Sequence, residues 1–118
     1  MRKEQQSRPC REDPASRFQR RVLSFLRTVP AGQVVTYGQI AGHLGNPHMA
    51  RAVGNALHRN PNPSLYPCHR VVHVDGRLSE AYAFGGIEAQ AERLRAEGVT
   101  VTNGRVDLVK YGYRRHVW

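Results

Sequence analysis

The run Pro67-Cys68-His69-Arg70-Val71-Val72 sets a thiol between a proline and an imidazole and leads straight into an apolar, β-branched segment. Cysteine attacks as its thiolate, and an unperturbed thiol with a pKa of about 8.5 is mostly protonated at neutral pH. A reactive Cys68 therefore needs a neighbouring base or cation, and His69 and Arg70 are candidates. Adjacency in sequence does not bring reactive atoms together in space. Free cysteine is also among the most often buried residue types, so Cys68 reads equally well as a small core side chain. A metal site built from Cys68, His69 and His73 is disfavoured, because the ligands are too few and a strand after His69 sends alternate side chains to opposite faces.

The flanking segments are the ones that must position this thiol. Upstream, Phe18, Val22, Phe25 or Leu26 and Val29 recur at helical spacing, with Arg17, Arg20, Arg21 and Arg27 on the other faces. Pro30-Ala31-Gly32 stops that helix, Val34-Val35 is extended, and Thr36 offers an N-cap for a second helix over 37–44. Gly45-Asn46-Pro47 turns the chain into a third helix over 48–59. Its apolar stripe is Met49, Val53, Ala56 and Leu57, while Arg51, Asn55, His58 and Arg59 fall on the opposite side. The small residues Ala52, Gly54 and Asn55 let that helix approach a groove closely. Two short helices about a glycine turn, the second with a basic face, form a helix-turn-helix outline.

Downstream, Asn60-Pro61-Asn62-Pro63 excludes helix, and a compact loop delivers Cys68. Residues 71–74 read as a strand that turns at Asp75-Gly76 and returns through Arg77-Leu78, the wing of a winged helix. A loop over 79–86 then carries Tyr82 and Phe84 as exposed aromatics, closed by Gly85-Gly86, and can wall a pocket. A last helix over 87–97 has Ile87, Ala91 and Leu94 inward and Gly98 as its stop. Residues 99–108 alternate about Asn103-Gly104, a strong hairpin signal, and a basic aromatic tail follows over 110–118. The expected fold is mainly α with a small β wing. It is a single winged helix-turn-helix domain over 14–118, preceded by a flexible basic arm over 1–13.

The 118 residues carry 18 Lys+Arg against 9 Asp+Glu, a net charge of +9, and all the cations but Lys3 and Lys110 are arginines. Forked guanidinium groups in that excess favour a polyanionic partner, with nucleic acid foremost. General solubility is the alternative reading of the charge. Two cysteines, Cys10 and Cys68, are too few for a disulfide framework. No apolar run approaches the ~20 residues that span a bilayer, and the start is polar and basic. The expected setting is soluble, cytoplasmic and reducing.

Taken in order, Val35-Thr36-Tyr37-Gly38-Gln39-Ile40-Ala41, Arg51-Ala52-Val53-Gly54-Asn55-Ala56, Asn60-Pro61 and Pro67-Cys68-His69-Arg70-Val71 resemble the motifs of the O6-alkylguanine-DNA alkyltransferases and the alkyltransferase-like proteins. The resemblance runs from about Phe18 to Gly98. It implies a minor-groove DNA binder that turns a damaged base out of the duplex. Arg51 would fill the gap, and Tyr37 would press on the flanking phosphate and contact the base. Thr36, Ala52, Asn55, His58 and Arg59 would complete the DNA surface. Cys68 would accept the alkyl group, His69 would relay its proton through water to Glu97, and Asn60 would order the backbone around the thiol. Pro67, Val71, Ser79, Tyr82 and Phe84 would line the lesion pocket. The resemblance implies no metal or organic cofactor, a monomer, and double-stranded DNA containing O6-alkylguanine as partner.

Against the transferases the chain is expected to lack their separate N-terminal domain, and it differs in a slightly longer loop after Cys68 and in Phe84 standing where they place a serine that donates to O6. Ser79 or Tyr82 would have to substitute. Three functions follow as expectations: a self-consuming transferase; a binder that marks the lesion for another repair pathway with Cys68 unreactive; and a winged-helix transcription regulator, which leaves Cys68, His69 and Glu97 unexplained.

Overall fold

The computed structural model describes residues 14–80 and 82–113. The expected basic arm over 1–13 and residues 114–118 of the tail lie outside the described residues. Helix α1 (Pro14–Leu26) opens on a proline, whose fixed φ suits a first helical turn. It buries Val22, Leu23, Phe25 and Leu26, and leaves Arg17, Arg20, Arg21 and Arg27 exposed. After the turn at residues 30–33 comes strand β1 (Val35–Thr36), then helix α2 (Tyr37–His43). Thr36 is extended, accepts at its hydroxyl from the Gln39 amide at 3.0 Å, and donates its own amide to Gln39 Oε1 at 3.0 Å. This reciprocal cap satisfies two orphan donors of α2 at once.

Helix α3 (Ala50–His58) is shorter than the expected 48–59. Asn46 caps a 3-10 turn, Pro47–Met49, through His48 N at 3.0 Å, and α-geometry starts only at Ala50. A second 3-10 turn, Cys68–Arg70, leads into strand β2 (Val71–Val72). Helix α4 (Gly86–Ala96) and a four-residue helix α5 (Leu108–Tyr111) complete the set. The tail expectation missed α5, which Asp107 nucleates by accepting from Val109 N at 2.9 Å.

The expected wing is built differently. β2 pairs in parallel with β1, Val35 opposite Val71 and Thr36 opposite Val72, as suits two strands buried on both faces. The Asp75-Gly76 turn does form, with His73 N donating to Arg77 O at 2.9 Å. The returning segment then leaves β2 and meets the Asn103-Gly104 turn, Leu78 N donating to Gly104 O and Val106 N to Gly76 O, each at 2.9 Å. Gly76 is required there, since its φ is 89° and a Cβ would collide with the Val106 carbonyl. Asn103 and Gly104 take φ of 54° and 73°, the two positive values of a type I′ turn, but the hairpin closes with the single pair Thr102 and Arg105.

The core is two apolar clusters divided by the valine ladder. Val35 and Val71 face the larger cluster, made of α1, α2, α3, Cys68 and Tyr82. Val34 and Val72 face the smaller, made of Leu78, Ala91, Leu94, Val99, Val101 and Val106. Strand alternation thus splits adjacent valines between two cores. Among the described residues no helix is long and apolar enough to cross a membrane.

Candidate active site and nucleic-acid interface

Cys68 is 6 % exposed and is fixed by the loop before it. Asn60, itself buried, ends α3, donates from Nδ2 to Tyr66 O at 2.8 Å and accepts from Asn62 N at 2.9 Å. Tyr66 O also takes the Cys68 amide at 2.7 Å, so the Asn60 amide and the thiol residue share one carbonyl. Burial pushes the Cys68 thiol above its ordinary pKa; hydrogen bonding from Asn60 and the positive charge of Arg93 pull the other way without overcoming it. The resting thiol is therefore protonated at neutral pH.

His69, 3 % exposed, places Nε2 at 2.8 Å from Glu97 Oε2. The contact is direct between ring and carboxylate. Burial holds the imidazole below its usual pKa against the pull of Glu97, so the ring is neutral and able to accept a proton at pH 7. Its Nδ1 is buried with no hydrogen-bond partner among the described residues. Arg70 is wholly committed elsewhere: Nε and Nη2 fork onto Glu97 at 2.9 and 2.6 Å, and Nη1 reaches Val29 O at 2.7 Å. It does not serve as the thiol's cation. Although burial raises the Glu97 pKa, the hydrogen bonds from Arg70 and His69 outweigh it and hold the carboxylate below its usual range.

Helix α4 and its C-cap residue Glu97 present Gln90, Arg93 and Glu97 at i, i+3 and i+7 toward the thiol segment. Sequence reading missed Gln90 and turned Ile87 inward. Ile87 is 38 % exposed, whereas Gln90 is fully buried. Its Nε2 donates to His69 O at 3.0 Å and Val71 O at 2.8 Å, and its Oε1 accepts from Ser79 N at 2.8 Å. The irregular segments at Cys68 and Ser79 have backbone groups with no ladder partner, and a buried amide supplies them. No local pattern signals this.

Tyr37, Gly54, Leu57, His58, Val71, Ser79, Tyr82, Ala83 and Gln90 enclose a cavity of about 20 Å³ beside Cys68. That is room for about one water and far less than a purine needs. Tyr82 is 7 % exposed, so the expected exposed aromatic is a core residue, while Phe84 is 37 % exposed and meets the cavity only through the Tyr82 ring, at 5.7 Å between centroids. Pro67 borders a different groove, with Arg27, Arg93 and Glu97.

The cavity opens toward a groove of about 620 Å³ lined by Tyr37, Arg51, Gly54, Asn55, His58, His73 and Ser79. Arg51 is exposed there and makes no ion pair among the described residues. Tyr37 packs on His73 with ring centroids 5.5 Å apart. Two expected interface residues, Ala52 and Arg59, line a second groove against α1 instead, because the exposed part of α3 is split by its own curvature around the helix axis. Thr36 is 6 % exposed with its hydroxyl spent on the α2 cap, and it presents nothing to a ligand.

Residues 17–99 match the family model described as 6-O-methylguanine DNA methyltransferase, DNA binding domain. The chain belongs to this family. Within it, a methylated-DNA--protein-cysteine methyltransferase of Shigella flexneri is 49 % identical over 81 residues, covering 69 % of this chain and 46 % of the relative. The chain thus spans about half the length of that relative. A DNA base-flipping protein of Escherichia coli is 40 % identical over 95 residues, covering 80 % of this chain and 72 % of the relative. Among solved family structures, Schizosaccharomyces pombe Atl1 in complex with damaged DNA containing O6-carboxymethylguanine superposes with a TM-score of 0.77 at 30 % identity, covering 85 % of this chain and 97 % of that one. Mycobacterium tuberculosis OGT in complex with DNA gives 0.64 at 36 % identity, covering 81 % and 52 %.

Proposed function

We propose that this protein recognises O6-alkylguanine in duplex DNA, turns the base out of the helix and accepts its alkyl group irreversibly on Cys68. The observation that carries this reading is the buried Cys68 beside a neutral His69 hydrogen-bonded to Glu97, at the end of a groove lined by the exposed face of α3. An O6 atom lies inside the duplex, so the base must leave the stack at a cost of a few kcal/mol, and the exposed guanidinium of Arg51 in the groove would fill the gap. Tyr37, at the mouth of the cavity, would guide the base inward. Once base and loop exclude water, His69 takes the thiol proton through Nδ1, directly or over one water, and Glu97 stabilises the imidazolium. The thiolate attacks the alkyl carbon, the carbon–O6 bond breaks, and a thioether remains. Each protein molecule then acts once.

A second reading, lesion binding without transfer, is favoured by the raised thiol pKa and the small cavity. The intact mass of the protein after incubation with a duplex containing one O6-methylguanine separates the two. Transfer gives a stoichiometric gain of one methyl group that is absent from Cys68→Ala. Lesion-selective binding with no gain would establish the second reading.

A further inference from the structure

Helix α3 faces two grooves. Arg51, Gly54 and His58 line the one that leads to Cys68, while Ala52 and Arg59 line the second, of about 630 Å³, against α1. Asn55 borders both. The floor of the second groove is apolar, made by half-buried Phe18, Leu44, Met49 and Ala52. Around it stand three exposed arginines, Arg17 and Arg21 one turn apart on α1 and Arg59 at the end of α3. No acidic side chain lines it among the described residues. Its walls are fixed to each other: Gln19 donates from Nε2 to Ala56 O at 3.2 Å and to Arg59 O at 3.1 Å, which fastens α1 to the last turn of α3. An apolar surface that is already formed, open to water and rimmed by charge of one sign is the mark of a docking surface.

We propose that this groove binds an acidic amphipathic helix of a partner protein, with its apolar face on Phe18, Leu44, Met49 and Ala52 and its carboxylates against Arg17, Arg21 and Arg59. A helix lying in a groove is held by apolar side chains at i, i+3, i+4 and i+7, and the charged rim fixes its direction and repels basic competitors. Met49, unbranched and polarizable, suits a floor that must adapt to another chain's side chains. Other occupants match the groove less well. A DNA backbone uses the arginines but buries nothing against the four apolar residues. Residues 1–13 of this chain carry Arg2, Lys3, Arg8 and Arg11 against Glu4, Glu12 and Asp13, with Met1 as their one large apolar side chain. A second copy brings a net charge of +9 to a rim that is itself cationic. A helix seated here leaves the groove of Arg51 open, so the inference goes beyond the reading of the Cys68 site and does not depend on it.

The probe is a fluorescein-labelled peptide of about 15 residues with Leu and Phe on one helical face and Glu on the other, titrated with the full chain and followed by anisotropy. The protein binds it at least about tenfold more tightly than a peptide of the same composition with the apolar residues scattered, or one with Lys at every Glu. Arg17→Glu combined with Arg21→Glu changes two exposed side chains and leaves the thermal melt in place. That double variant weakens the acidic peptide by about tenfold and strengthens the lysine peptide. Arg20→Glu, the same charge change on α1 but off the groove, alters affinity by less than about threefold. Saturating O6-methylguanine duplex leaves the peptide bound. Equal binding of the acidic and scattered peptides overturns the proposal. So does displacement of the peptide by duplex together with an equal loss of DNA affinity in the double variant, which assigns the groove to DNA. A wild-type dimer in sedimentation that the double variant dissociates overturns it in favour of a second copy. Duplex binding by the wild type is measured alongside, and failure to prefer the lesion there removes the Cys68 reading alone.

Discussion

At the scale of single residues, the proposed transfer would rest on how burial and partners move protons among Cys68, His69 and Glu97. His69 is neutral at pH 7 and becomes charged as pH falls, so wild-type transfer is expected to slow on the acid side. Glu97→Gln removes the group that lifts the imidazole pKa, leaving desolvation in charge. The acid limb of the pH–rate profile should then shift to lower pH while the rate at neutral pH drops, since a weaker base faces the thiol. An acid limb that stays in place, measured by initial rates of Cys68 modification, would remove Glu97 from the relay. Residue types and adjacency named Cys68 and His69, and only the motif resemblance added Glu97. Their contact could not be read from spacing, because 28 positions separate His69 from Glu97 and two segments must fold before the ring meets the carboxylate. Arg70 shows the opposite case: its type and position suggested a cation for the thiol, yet the fork onto Glu97 takes the charge away from it.

The elements were legible where their signals are local. Thr36 and Gln39 fix the start of α2 within four residues, and Thr36→Val should cost about 1 kcal/mol in urea unfolding through loss of the cap. The sheet was not legible, since β2 chose β1 over its own returning segment, a choice decided by tertiary burial. Gln90 escaped for the same reason, as a polar residue inside a helix reads as solvated until its backbone partners are in place. Gln90→Leu leaves the Ser79 amide and the His69 and Val71 carbonyls without it, and is expected to destabilise by about 3 kcal/mol. Gly54 offers the reverse. A methyl group there meets only Tyr37 Cε1 at 3.8 Å, an ordinary contact, so Gly54→Ala should raise stability by up to about 1 kcal/mol. The same methyl narrows the entrance to the cavity. Lesion binding should weaken although the protein is more stable.

Across the whole molecule, charge and acid response are the properties to measure. With a net charge of +9, affinity for undamaged duplex should fall steeply with salt, by a log–log slope of about 0.9 per phosphate neutralised. Arg51→Ala should reduce preference for the lesion more than it reduces that slope, and equal losses on damaged and undamaged duplex would contradict a gap-filling role. His69 and Glu97 both favour the folded state less as pH falls. The depressed His69 pKa makes its contribution whole above the unfolded value of about 6.5 and drains it below. The Glu97 contribution is whole above about 4.3 and is lost as pH drops through its lower folded value. Thermal melts should therefore soften in two stages on acidification, and His69→Gln should abolish the first. The valine ladder carries a final consequence. Four adjacent-strand valines are the common wall of both apolar clusters, so neither cluster can loosen without exposing the other's lining. Amide hydrogens of Val29, Val71, Leu94 and Val99 should exchange with solvent together, at the pace of global opening, whereas those of residues 82–86 exchange far faster. Cys68, packed in the larger cluster beside Tyr82, is then expected to have two clocks: a fast one set by residues 82–86, and a slow one set by the life of the entire fold.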